Sequence, residues 1–244
     1  MTELDILKEF LLYPLNSVDE IMKRFETLPN AEKKSGNGKQ QFVFVRGNRK
    51  DAATLVAHAD TYPSRDFDYA KHEISEKNGI IRSASPDYGL GADDRAGCAI
   101  LWLLKDSGHN LLITDGEECG RIGAEWLMSS KRDIAEIIHK SSFMIQFDRK
   151  NGRDYKYYNI RVSEEFIKYI EKETGYSEPD KDSSTDIVTL CNDKNSCCGV
   201  NLSVGYYNEH TVNESLNIEE WSNTLKIAKL MLNKPLERFP LKTC

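Results

Sequence analysis

Hydrophobic positions along the chain follow two rhythms. Leu4, Leu7, Phe10 and Leu11 recur at helical spacing and predict an amphipathic first helix ending near Pro14. Ser17-Val18-Asp19-Glu20 has the form of a capping box, opening a second helix through about Leu28. Asn30 to Lys39 is polar and contains glycine, so it reads as a loop. Gln41 to Arg46 alternates as a strand, Gly47 to Asp51 turns the chain, and Thr54-Leu55-Val56-Ala57 is a buried strand running into His58-Ala59-Asp60. Tyr69 to Ser75 and Ile80 to Ala84 flank Asn78-Gly79, a hairpin signal. After Gly89 and Gly91, residues Ala96, Ala99, Ile100, Trp102, Leu103 and Leu104 predict a helix apolar almost all round, hence buried.

Leu111-Leu112-Ile113 is a further buried strand, and Gly120 to Ser130 reads as a helix. Phe143 to Phe147 is a buried strand stopped by Asp148. Ser163 to Thr174 is a helix with Phe166, Ile167 and Ile170 inward. Ser183 to Asn195 is polar and irregular, with one helical turn at Asp186 to Leu190. Val200 to Val204 is a strand, and Asn217 to Leu232 is a last helix with Ile218, Trp221, Leu225, Ala228 and Leu232 on one face. Strands alternating with helices predict an α/β fold, a three-layer α/β/α sandwich around a mostly parallel mixed sheet. No internal repeat or linker divides the chain, so residues 1–244 read as a single domain.

Composition narrows the function. Of 244 residues, 39% are hydrophobic and 30% charged, and the net charge of −6 does not advertise nucleic acid or an anionic membrane as a partner. The amino terminus lacks a signal-peptide layout and no apolar run approaches a membrane span. None of the six cysteines forms a CxxC pair, so reduced thiols in the cytoplasm are expected.

Chemistry gathers after the strands. Behind Leu111-Leu112-Ile113 the turn carries Asp115, Glu117 and Glu118, three carboxylates in four positions. Carboxylates crowded at the end of a buried strand repel one another and lose hydration, so a cation belongs there or one of them holds a proton. A solvated acidic turn is the bland alternative. Open α/β sheets bind ligands at the carboxyl ends of their strands. Those ends supply His58 with Asp60, then Glu117 with Glu118, then Asp148; Asp93 opens the buried helix and His210 follows the last strand. Singly, each is ordinarily a satisfied core or surface group or a helix cap. Falling at one edge together, His and carboxylate groups suit zinc, or manganese or cobalt, in a hydrolytic site.

The order His58-x-Asp60, Gly91-Ala92-Asp93-Asp94-Arg95-Ala96-Gly97, Asp115-Gly116-Glu117-Glu118-x-Gly120, Phe147-Asp148 and Asn208-Glu209-His210-Thr211 resembles the dinuclear zinc peptidases. These include peptidase T-like tripeptidases, carboxypeptidase G-like enzymes and zinc aminopeptidases. The resemblance runs from about residue 54 to the final helix. It implies a zinc-exopeptidase-like fold and two Zn2+ per chain, with Co2+ or Mn2+ as substitutes. Asp93 would bridge the ions, with His58 and Asp148 completing one site and Glu118 and His210 the other. Glu117 would be the general base and Asp60 would hold the His58 ring. The resemblance also implies a cis peptide between Asp93 and Asp94. Tyr206 and Tyr207 are candidate donors to a tetrahedral oxyanion, or aromatic lining of the cleft.

Peptidase T and carboxypeptidase G relatives insert a lid or dimerisation domain between the last carboxylate ligand and the last histidine. Here Asp148 and His210 are only 62 positions apart, so the single-domain aminopeptidases are the closer architectural relatives, while Gly91 to Gly97 looks more like peptidase T. In Ser183-Ser184-Thr185-Asp186, Asp186 could meet a substrate ammonium or cap a helix. Arg149 could clamp a substrate carboxylate or balance charge. Cys191 and Cys197-Cys198 admit a disulfide, a thiol metal site or buried thiols. His72, His109 and His139 read as surface residues.

The expected function is hydrolysis of short peptides by a two-zinc metallopeptidase, foremost an aminopeptidase. A deacylase or amidohydrolase acting on N-acyl amino acids, a dipeptidase or tripeptidase, and a glutaminyl cyclase are alternatives in the same fold. A two-metal phosphoesterase is disfavoured by the absence of a basic groove, and a non-catalytic module by the filling of every site position.

Overall fold

The computed structural model describes residues 1–62, 72–179 and 184–242. The first two helices start differently. In α1 (Glu3–Leu11), Thr2 accepts from the Asp5 N–H at 3.1 Å while Asp5 accepts from the Thr2 N–H at 2.7 Å, a reciprocal capping box. In α2 (Val18–Glu26) the expected box does not form: the Ser17 hydroxyl instead donates to the Pro14 carbonyl at 2.5 Å. The segment expected as a loop after residue 30 contains β1 (Ala31–Ser35), paired antiparallel with β2 (Gln41–Val45).

The central strands are β3 (Thr54–His58), β6 (Asn110–Thr114), β7 (Met144–Arg149) and β9 (Gly199–Ser203), all parallel in the order β6-β3-β7-β9. Antiparallel β2 and β1 extend one side, and β8 (Tyr155–Lys156) the other, giving seven strands. A second, four-stranded sheet runs β10-β11-β5-β4, from β4 (Ile74–Lys77), β5 (Ile80–Ser83), β10 (Tyr206–Tyr207) and β11 (Ser215–Asn217). The β4–β5 hairpin turns at Asn78-Gly79 as expected; the expected beginning of its first arm, 69–71, lies outside the described residues.

Side chains alternate between the sheet's two faces, the period-two signature of strands buried on both sides. Leu55, Ala57, Leu111 and Ile113 pack with α1, α2, α3 (Ala92–Leu103), α6 (Glu164–Thr174) and α8 (Ile218–Leu232). Val56, Leu112, Phe42 and Phe44 pack with α4 (Ile122–Ser130), α5 (Arg132–His139) and α7 (Asp186–Leu190). Each of these buried Leu, Val, Ile and Phe side chains contributes about 1.5–3 kcal/mol relative to exposure. The three-layer α/β/α sandwich is therefore present, and its parallel strands all end at one edge.

Candidate metal centre

That edge is built from strand ends and two loops. Parallel pairing puts His58 of β3 opposite Thr114 of β6, so the imidazole stands beside the acidic turn that follows β6. β7 delivers Asp148. Asp93 comes from the start of α3, where the Asp93–Asp94 peptide is cis. A Cβ on Gly97 would stand 2.1 Å from the Phe147 carbonyl, so glycine is what lets α3 press onto β7 next to Asp148. His210 lies in the loop between β10 and β11.

The structure brings five of these side chains together in two overlapping sets. His58 Nε2 is 3.1 Å from Asp93 Oδ1 and 3.4 Å from Asp148 Oδ1. His210 Nε2 is 3.2 Å from Asp93 Oδ2 and 2.9 Å from Glu118 Oε1. Within each set the possible ligand atoms all lie within 4.8 Å of one another. Two ligand atoms about 2.0–2.1 Å from one tetrahedral ion stand roughly 3.3 Å apart, so both sets have the spacing a divalent ion needs. The donors are imidazole and carboxylate, three per set, which leaves each ion an open position. The residues fit two such ions.

Electrostatics mark the same place. Burial alone would lower the His210 pKa, but hydrogen bonds and charges from Asp93 and Glu118 outweigh it and raise it to about 10. Burial, reinforced by Asp148, Asp186 and Asp93, pushes Glu117 up to about 9. Burial also raises Glu118 and Asp148. Carboxylates lifted this far are short of positive charge.

Neighbouring groups hold the cluster in place. His58 Nδ1 meets the Asp60 backbone carbonyl at 2.9 Å and its carboxylate at 3.4 Å. The Asp60 Oδ1 also accepts from the Gly116 and Glu117 N–H groups at 2.9 and 3.2 Å, so Asp60 joins the histidine to the acidic turn. Lys39 lies 3.3 Å from Asp60 and 3.4 Å from Asp115, and Gln41 donates to Asp115 at 2.9 Å. Asp115 thus belongs to the turn's support. Asp148 accepts from Thr185 at 2.6 Å, Gln146 at 2.9 Å and Tyr206 at 3.2 Å.

Glu214, which sequence reasoning missed, accepts from the Gly91 and Asp93 N–H groups at 2.6 and 3.0 Å while fully surrounded by protein. Its partners are backbone groups 121 and 123 positions away, and no sequence spacing announces them. Lys39 likewise sat in an expected loop.

A cavity of about 130 Å³ opens on the cluster, lined by Asp93, Glu117, Glu118, Asp148, Tyr206 and His210, with Arg149 and Lys150 in its wall. Glu117's carboxylate makes no hydrogen bond to a described residue. Tyr207 does not reach this cavity; its hydroxyl donates to Glu220 at 2.7 Å. Asp186 does not reach it either. It is completely buried, accepts from the Thr114 hydroxyl, finds no partner for its other oxygen among the described residues, and caps no helix. Arg149 reaches the wall but its Nε is bound to Asp154 at 2.7 Å. Ser183 lies outside the described residues.

His72 and His109 are buried rather than surface residues: the His72 ring lies 5.6 Å from that of Tyr88, and His109 is engaged by the Ala53 N–H and the Leu232 carbonyl. Cys191, Cys197 and Cys198 are buried free thiols with raised pKa values caused by burial.

No protein-family model and no curated protein matches this chain by sequence. Solved structures do. Aminopeptidase PepT from Bacillus cereus superposes with a TM-score of 0.62 at 16% identity, covering 95% of this chain and 97% of that one. A tripeptidase from Staphylococcus aureus gives 0.63 at 14% identity over 95% and 98%. An aminopeptidase from the archaeon Desulfurococcus kamchatkensis gives 0.65 at 12% identity over 94% and 95%. The fold is the one these peptidases share. At such identities the likeness concerns the fold, so the chemistry rests on the site itself.

Proposed function

We propose that the chain is a two-zinc exopeptidase, an aminopeptidase acting on short peptides, with residues 1–244 forming one catalytic domain. One observation carries this reading: the two oxygens of Asp93 face His58 Nε2 and His210 Nε2 at 3.1 and 3.2 Å, so a single carboxylate addresses both donor sets. His58, Asp93 and Asp148 would hold one ion; Asp93, Glu118 and His210 would hold the other. Zn2+ suits these donors, and Co2+ or Mn2+ can replace it. The aminopeptidases and the tripeptidase of like fold support the reaction class. Free thiols support a cytoplasmic setting.

Held by these residues, such ions would supply a water of lowered pKa, towards about 7, and polarisation of a scissile carbonyl. Glu117 takes the proton from the attacking water and passes it to the departing amine; its carboxylate lines the cavity without a hydrogen bond to a described residue. The His58 Nδ1–H donates to Asp60, which keeps the Nε2 lone pair turned towards Asp93 and Asp148. Tyr206 steadies Asp148 through its hydroxyl, and it lines the cavity where Tyr207 does not, which supports it as the oxyanion donor of the two.

Metal analysis of the purified protein, beside hydrolysis of aminoacyl, dipeptide, tripeptide and N-acyl substrates, tests the reading. About two ions per chain and cleavage of free-amine peptides are expected. Free-amine peptides left intact while N-acyl ones are cleaved would make it a deacylase, and one ion per chain would favour a cyclase. Glu117→Gln should keep both ions and lower kcat by at least about 10²-fold. Metal loss in that variant would exchange the roles of Glu117 and Glu118.

A further inference from the structure

A second cavity, of about 100 Å³, opens beside the first and shares Asp93 and His210 with it. Its other walls include Leu15, Tyr62, Tyr88 and Val212, and among the described residues neither Lys nor Arg lines it. Tyr62 and Val212 are 48% and 50% exposed, two of the five exposed large hydrophobic residues among those described, and both stand at this cavity. The Tyr62 ring stacks on the His210 imidazole at 4.4 Å and 14°, tying the apolar wall to the candidate centre. The Glu214 carboxylate at its side is already taken, each oxygen accepting a backbone N–H. The Glu117 cavity differs, with Arg149 and Lys150 in its wall.

We propose that the apolar cavity is the subsite for the substrate side chain on the acyl side of the scissile bond, so that peptides beginning with a mid-sized aliphatic residue are preferred. The inference rests on the peptidase reading. If Glu117 hands a proton to the departing amine, the leaving residue lies in the Glu117 cavity. The acyl residue, joined across the reacting carbon near Asp93 and His210, then extends into the neighbouring one. An aliphatic chain there leaves water for apolar walls, whereas an acidic one loses hydration and meets no Lys or Arg among the described residues.

The test compares kcat/KM of the zinc-loaded protein on Leu-Gly-Gly, Ala-Gly-Gly, Gly-Gly-Gly and Asp-Gly-Gly. One methylene in an apolar pocket is worth about 10–200-fold, so the leucine peptide should exceed the glycine peptide by at least about tenfold, with the aspartate peptide slowest. Val212→Trp should fill the cavity and reduce the leucine-to-glycine ratio about tenfold with metal content unchanged. A ratio unmoved by that variant, or an aspartate peptide ranking first, overturns the subsite. Binding is read separately as the rise in Tm given by leucinamide, glycinamide and aspartic acid amide. Leucinamide should give the largest rise, and Val212→Trp should remove its excess; equal rises overturn the proposal. Selective leucinamide binding without cleavage of any peptide would sink the peptidase reading while leaving the apolar subsite standing. If Val212→Trp instead dissolves a dimer and leaves selectivity alone, the patch is a self-association surface and the subsite falls.

Discussion

The two ends of the same parallel strands bury polar groups in opposite ways. At the amino ends the groups are neutral and close on one another. Thr54 and Ser141 hydroxyls meet at 2.7 Å, Asn110 donates to Thr54 at 3.3 Å, and its carbonyl accepts from the Gly47 N–H at 2.9 Å. His109 bridges the Ala53 N–H and the Leu232 carbonyl at 3.0 Å each. At the carboxyl ends, buried carboxylates outnumber the imidazoles, Asp186 is raised to about 7 chiefly by burial, and one of its oxygens has no partner among the described residues. Neutral groups that satisfy each other are cheap to bury, whereas like charges are not. One end therefore serves stability, and the other keeps an electrostatic imbalance of the kind found at functional sites.

The largest expected contrast is in response to metal. Zinc at 100 times its dissociation constant stabilises a protein by about 2.7 kcal/mol, so a chelator should lower the Tm of the wild type. His58→Ala should abolish that chelator-sensitive step and reduce bound zinc; unchanged stoichiometry would remove His58 from the ligand set. Asn110→Ala should do the reverse. It orphans the Gly47 N–H and should cost about 1–3 kcal/mol in urea unfolding, with zinc content and the chelator step unchanged. Loss of zinc in Asn110→Ala would mean the two ends are coupled, and the contrast would dissolve.

How far each end could be foreseen follows from the physics. Strands β3, β6 and β7 were legible because apolar runs buried on both faces read directly, and the residues after them, His58, Glu118 and Asp148, inherited their placement from strand polarity. Edge strand β1 was not. Ala31–Ser35 is polar because an edge needs no buried face and charged residues there discourage pairing with other chains. Helix α5 did carry a signal, Ile134, Ala135 and Ile138 at helical spacing, but over barely two turns. The Ser17 box failed because a nearby carbonyl, that of Pro14, took the hydroxyl. Asp186 and Tyr207 have the right chemistry for a cleft, yet Thr114 and Glu220 engage them elsewhere, and such long-range partners leave no trace in local spacing.

The smallest expected effect probes the neutral end. The Ala53 N–H is a donor, so His109 Nδ1 must accept and Nε2 must carry the proton given to Leu232. A second proton on Nδ1 would break the Ala53 bond in a buried place. Burial, aided by the charge of Arg49 and opposed by the Leu232 hydrogen bond, lowers the His109 pKa below its ordinary 6.5. Between the folded and unfolded pKa values the unfolded chain binds more protons, so stability rises with pH there. The His109 contribution is then fully present above about 6.5 and is lost as pH falls towards the folded value. Urea unfolding at pH 7.5 and 5.5, with chelator present so that the metal centre adds nothing, should show the wild type losing more stability than His109→Gln. Both proteins share every titrating carboxylate, so the difference isolates His109. Equal losses would mean that His109 does not bridge in its neutral form, and the strands' amino ends would then carry a buried charge of their own.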